Sequence, residues 1–172
     1  MQPPDHAALF DIASGRFIRA RRGVCRLCDY PSSPLDEVAA AWLSVGRDTS
    51  VVSHDNALDL LELSDVTPNA IHLTVPRSKR YTKLPLGVVV HTTTHSLERK
   101  NVTVQHGIRL TSPTRTVLDA AEAGTGPEQI EMAIRHTIDR GLVDPQRLED
   151  EAEGYSGRAR QLVHRTLERL PS

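Results

Sequence analysis

Residues 70–94, AIHLTVPRSKRYTKLPLGVVVHTTT, hold two β-branched runs separated by a basic loop, and their reading decides the fold. Both runs have the length and composition of strands. Just before them, TSVVSHDNALDLLEL (49–63) reads as a short buried strand, Val51 and Val52, and then a helix capped by Ser53. Ala57, Leu58, Leu60, Leu61 and Leu63 supply the apolar side of that helix, and Pro68-Asn69 turns the chain into the strands. After them, NVTVQHGIRLTS (101–112) adds one or two more strands.

From Ser112 the pattern becomes helical. SPTRTVLDAAEAG (112–124) opens on Ser-Pro, stops at Gly124 and sets Arg115 and Asp119 at the i, i+4 spacing of a surface ion pair. GPEQIEMAIRHTIDRG (126–141) predicts a second helix ending at Gly141, and SGRARQLVHRTLERL (156–170) a last amphipathic one with arginines on its polar side. Upstream, Ser33-Pro34 with Asp36 and Glu37 is a helix start: a hydroxyl to cap, a proline for the first position and acids at the positive end of the dipole. That helix runs to a stop at Gly46. The strand-rich middle and helical tail predict an α/β fold, or α+β, with a small mixed β-sheet flanked by helices.

Two elements precede this body. DHAALFDIAS (5–14) places Ala7, Ala8, Phe10 and Ile12 at helical spacing, a helix over about residues 6–13. Then RFIRARRGVCRL (16–27) alternates arginine with apolar residues around an Arg21-Arg22-Gly23 turn, the pattern of a β-hairpin with a basic tip. Its arginines, Arg16, Arg19, Arg21, Arg22 and Arg26, are the candidate nucleic-acid contacts. Basic residues along an edge hairpin also keep that edge soluble without any ligand, and both readings stand.

Composition bounds the rest. A chain of 172 residues, 38% hydrophobic and 25% charged, fits one compact domain with room for a small appendage. Its formal net charge of -1 gives the whole molecule no attraction to nucleic acid or anionic membrane, so such binding must come from a local patch. No segment approaches the apolar length of a membrane span, and MQPPDHAALFDIASG (1–15) carries acids and no signal-type apolar core, which predicts a cytoplasmic protein.

Cys25 and Cys28 form a CxxC without a second pair of ligands at zinc spacing, and on a hairpin their alternation points them to opposite faces. They read as one buried thiol and one incidental thiol. His91 and His95 lie on a strand ending in a polar turn, not on one helical face, and read as partly exposed histidines rather than metal ligands. Ser53-His54-Asp55 has catalytic residue types, but adjacent residues at a helix cap cannot converge as a triad. No glycine-rich phosphate loop, GxSxG or HExxH is present, so neither catalytic residues nor a cofactor is predicted. Arg77, Lys79, Arg80 and Lys83, with Tyr81, make a basic loop that is either simply solvated or a face for an acidic partner or a nucleic acid.

Taken in order, GRFIRARRGVCRL, SPLDEVAAAWL, VVSHDNALDLLELSDVTPNAIHLTVPRSKR, GVVVHTTT and GIRLTSPTRTVLDAAEAG resemble successive blocks of the AbiEi family, the antitoxins of type IV toxin–antitoxin systems. The resemblance implies an N-terminal winged helix-turn-helix that represses its own operon, followed by an α/β antitoxin domain that counters a nucleotidyltransferase-like toxin and is not an enzyme. Here the first helix runs almost directly into the wing-like hairpin, without the two helices that separate them in the family. The helix that reads bases in the major groove is therefore missing, and a wing by itself gives salt-dependent, largely non-specific contact. The expected organisation is a winged-domain remnant over 1–30 and an antitoxin body over 31–172. A DNA-binding autoregulator is the alternative function. The motifs SHDNAL and TSPTRTVLD read as helix starts, which makes Ser53, Ser112, Arg115 and Asp119 structural residues.

Overall fold

The computed structural model describes residues 15–79 and 84–170, except for the side chain of Arg99. The helix predicted over residues 6–13 and the loop residue Arg80 lie outside the described residues. The described residues begin in a hairpin, β1 (Phe17–Arg21) and β2 (Val24–Leu27), whose turn holds Gly23 at a φ of 74° that a side chain would resist. Neither cysteine is the buried thiol the pattern suggests, because the hairpin lies at the margin of the body: Cys25 is exposed, and the half-buried Cys28 thiol donates to the Gly15 carbonyl at 2.8 Å.

Helix α1 (Asp36–Val45) follows, two residues later than Ser33-Pro34 predicts. Ser33 still organises its start. Its Oγ accepts the Leu35 N–H at 3.1 Å while Asp36 Oδ2 accepts the Ser33 N–H at 3.2 Å, a reciprocal arrangement that satisfies donors at the helix entrance. The same acids tie the hairpin down: Arg21 pairs with Glu37 at 3.2 Å and Arg26 with Asp36 at 3.3 Å. Arg21 also donates to the Leu86 carbonyl at 3.0 Å.

The body is built on a five-stranded mixed sheet of β3 (Val51–Val52), β4 (Ile71–Pro76), β5 (Val88–Thr93), β6 (Val102–Gln105) and β7 (Ile108–Thr111). Its order is β5-β4-β3-β7-β6. β4 and β5 run parallel, as do β3 and β7, while β3 with β4 and β6 with β7 are antiparallel. Both runs of the opening stretch are thus neighbouring strands, and residues 101–112 contain two strands joined as a hairpin.

Helix α2 (His54–Leu60) lies between β3 and β4 in sequence, and α3 (Pro113–Ala123), α4 (Pro127–Asp139), α5 (Pro145–Ala152) and α6 (Gly157–Leu167) complete the chain. α3 packs against α2, α4 and α6. Val117, Leu118, Ala120 and Ala121 of α3 meet Ile130 and Ile134 of α4, Val163 of α6 and the sheet residues Leu73, Val75 and Leu110 in one core. The sequence pattern does not predict α5. Only Leu148 and Ala152 of its eight residues are buried, too few to make a helical period visible against its acids. Asp144 starts it by accepting from the N–H groups of Gln146 and Arg147.

Candidate functional site

Strand β4 alternates between two environments. Ile71, Leu73 and Val75 are buried in the core, which leaves His72 and Thr74 to the opposite face. Parallel pairing sets Thr74 opposite His91 of β5, so the His91 ring reaches the same face, and His72 Nδ1 lies 2.9 Å from His91 Nε2. The third member comes from the start of α2. His54 is held at a φ of 54°, in the left-handed region that a residue with a β-carbon seldom adopts. Its ring lies face to face with His91, centroids 3.6 Å apart and planes 18° from parallel. One ring nitrogen from each of His54, His72 and His91 lies within 4.8 Å of the others.

Hydroxyls hold this group from behind. Ser53 occupies the cap position of α2, yet its Oγ makes no capping bond; it lies 2.8 Å from His54 Nδ1 and accepts from Thr74 Oγ1 at 2.8 Å. Being fully buried, Ser53 cannot meet a substrate as a nucleophile. Asn56 Oδ1 accepts the His72 backbone N–H at 2.7 Å, so the turn into α2 is also fastened to β4.

Beside the histidines, α3 carries Arg115 and Asp119 into a cleft of about 350 Å³. The pair predicted for the surface is in fact buried, with side chains 4% and 12% exposed and Nε to Oδ2 at 3.0 Å. Arg115 also donates to Thr93 Oγ1 at 2.8 Å and to the Ser96 carbonyl at 3.4 Å, and Asp119 accepts a second bond from the Tyr155 hydroxyl at 2.9 Å. The wall of the cleft is therefore a chain of bonds from β5 through α3 to the loop before α6.

Burial sets the protonation states. It holds the His54 imidazole down at about 2, and His91, His72 and Arg115 push the same way. His72 and His91 are also lowered, chiefly by burial, although Asp55 pulls both upward and Asp119 pulls His91 upward. All three rings are neutral at physiological pH. Tyr155 is raised well above its ordinary value by burial and then by Asp119, so it stays a phenol and a donor. The cleft thus offers neutral imidazoles, hydroxyls and one compensated ion pair, groups suited to holding a cation or a polar ligand.

The sequence profile of the AbiEi antitoxin C-terminal domain matches residues 50–169, well over half the chain. The chain belongs to the AbiEi antitoxin family. Its matched region contains all of the cleft: strands β3 to β7 and helices α2 to α6. The fold is also that of the RV2827C protein from Mycobacterium tuberculosis, known from a crystal structure. The two superpose with a TM-score of 0.67 at 18% identity over 97% of this chain, which spans 65% of the length of that protein. No curated protein sequence matches significantly.

In this AbiEi antitoxin the residues predicted to contact partners lie apart from one another. Arg16, Arg19 and Arg22 are exposed on the hairpin, whereas Arg21 and Arg26 are engaged with α1. Arg77 reaches the mouth of the cleft and Lys79 is exposed just beyond it. The histidine group escapes a reading of the sequence because its members are spaced 18 and 19 residues apart on three elements. One signal is present: His72 on a strand whose neighbours are all core residues is a polar side chain pointing at something other than the core. Among the described residues no helix is long and apolar enough to cross a membrane.

Proposed function

We propose that this antitoxin counters a nucleotidyltransferase-like toxin in the cytoplasm, without chemistry of its own, and that its hairpin adds at most weak DNA contact. The observation that carries this reading is the AbiEi profile over residues 50–169, which takes in the whole sheet and helices α2 to α6. Residues 31–172 act as the antitoxin body, and residues 1–30 as the remnant of a winged DNA-binding domain. Arg16, Arg19 and Arg22 supply the salt-sensitive DNA contacts, because Arg21 and Arg26 are already paired with acids of α1. Arg77 and Lys79 present positive charge beside the cleft to an acidic surface of the partner, and Arg80 adds a third charge next to them in the sequence.

The test is co-expression with a nucleotidyltransferase-like toxin encoded beside it, scoring growth and copurification. Rescue with copurification establishes a direct antitoxin, and rescue alone establishes antagonism at the toxin's target. No rescue, together with sequence-selective operator binding at physiological salt, moves the function to an autoregulator, the second reading that the exposed arginines of the hairpin favour.

A further inference from the structure

We propose that His54, His72 and His91 bind one late first-row divalent cation, zinc foremost, with the cleft supplying the remaining coordination position. Imidazole nitrogen is a preferred donor for such ions, and three protein ligands with one open position is a recurrent zinc arrangement. The nitrogens already converge within 4.8 Å, and His72 Nδ1 and His91 Nε2 are 2.9 Å apart, closer than two ligands on one tetrahedral zinc need to be.

The fixed surroundings are those that orient metal-binding histidines. Ser53 Oγ occupies His54 Nδ1, which leaves Nε2 for an ion, and Thr74 and the backbone of β4 hold Ser53 in turn. The left-handed backbone at His54 is a local cost that the fold bears to place this ring against His91. Asp55 lies near His72 and His91 as a negative charge that favours a cation there, while Asp119, which acts on His91, is paired with Arg115, whose positive charge opposes a cation at His54.

Two contacts must give way: the N–H···N hydrogen bond between His72 Nδ1 and His91 Nε2, whose nitrogens face each other rather than a common ion, and the stack of His54 on His91. An imidazole lone pair lies in the ring plane, so two rings stacked at 3.6 Å cannot both aim at the same ion, and His54 or His91 must turn about its terminal torsion. Both rings border the cleft, which gives the turning ring space. Metal binding therefore exchanges a His–His stack for a coordinated set and couples the start of α2 to strands β4 and β5.

The experiment uses the full chain with Cys25→Ser and Cys28→Ser, so that thiols cannot bind the ion, stripped of metal with a chelator and titrated with zinc against a chromophoric competitor. Cobalt titration then reports the ligand set by its visible absorption. The expected result is one ion per chain, with tetrahedral cobalt bands that carry no thiolate charge transfer. Affinity should fall about tenfold or more in H72Q and in H91Q, each checked for an unchanged circular dichroism spectrum, by the scale on which ligand environments act. H91F keeps an aromatic ring stacked on His54 and serves as the variant that folds without the ligand. No saturable binding, or binding unchanged in H72Q, H91Q and H91F, would overturn the proposal. The outcome is independent of toxin rescue, so failure here leaves the antitoxin reading untouched.

Discussion

Replacing Asp119 by asparagine separates two descriptions of the same pair of residues. At i, i+4 on an exposed helix face, Arg115 and Asp119 would be worth about 0.3–0.5 kcal/mol. Here the guanidinium is 4% exposed, and both carboxylate oxygens are occupied, one by Arg115 and one by Tyr155. Asp119→Asn keeps the volume but leaves a buried arginine without its counter-charge, a change that costs about 3–5 kcal/mol when one partner of a buried pair is lost. We expect about 3 kcal/mol, since the asparagine carbonyl can still accept one of the two hydrogen bonds. Guanidinium unfolding at pH 7 should show a lower midpoint with an unchanged slope, and Tm should drop by about 2–4 °C per kcal/mol for a chain of this size. Tyr155→Phe removes only the hydroxyl bond and should cost about 1.5–3 kcal/mol, with the double variant less destabilised than the sum because the two changes share Asp119. Ultraviolet titration of the tyrosines supplies a second readout, because losing the Asp119 charge should bring the Tyr155 phenol back toward its ordinary value. A loss below about 1 kcal/mol in Asp119→Asn would refute the reasoning, for that is the range of a solvated pair.

The metal-free protein should lose stability as pH falls below 6.5. His54 has a folded value of about 2, so over that window the unfolded chain takes up a proton that the native state refuses. The cost is about 1.4 kcal/mol per pH unit, or about 2 kcal/mol at pH 5, and urea unfolding of the wild type against His54→Asn isolates it, since the variant should lack this component. Leu118→Ala, at a fully buried position of α3, should cost about 2–5 kcal/mol by chemical denaturation. If the hairpin touches DNA through Arg16, Arg19 and Arg22, the logarithmic salt slope measured by fluorescence anisotropy should be no steeper than about -2.7, and changing all three to glutamine should abolish it. An unchanged slope in that triple variant would assign the contact elsewhere.

Local chemistry is legible in the chain itself. Gly23 marks the hairpin turn, Gly46 and Gly124 end α1 and α3, and the β-branched runs at 71–76 and 88–93 form adjacent parallel strands. These features depend on backbone preferences and alternation, which act within a few residues and are written in neighbouring side chains. The acids of α5 hide a helix that burial of Leu148 and Ala152 against its neighbours helps to stabilise, beside the Asp144 cap.

The cleft is illegible for a different reason. Spacing shows that Arg115 and Asp119 share a face of α3, but not that Tyr155 and Thr93 cover that face and turn a solvated pair into a buried one. Likewise each histidine, read in the sequence, sits at an unremarked position: one at a helix start and two inside strands. Among the described residues, sequence by itself determined the strands and every helix but α1's exact start and α5. Which faces meet was decided by the sheet order, because pairing β4 with β5 and folding α2 back onto β4 is what brings residues 54, 72 and 91 within reach of one another.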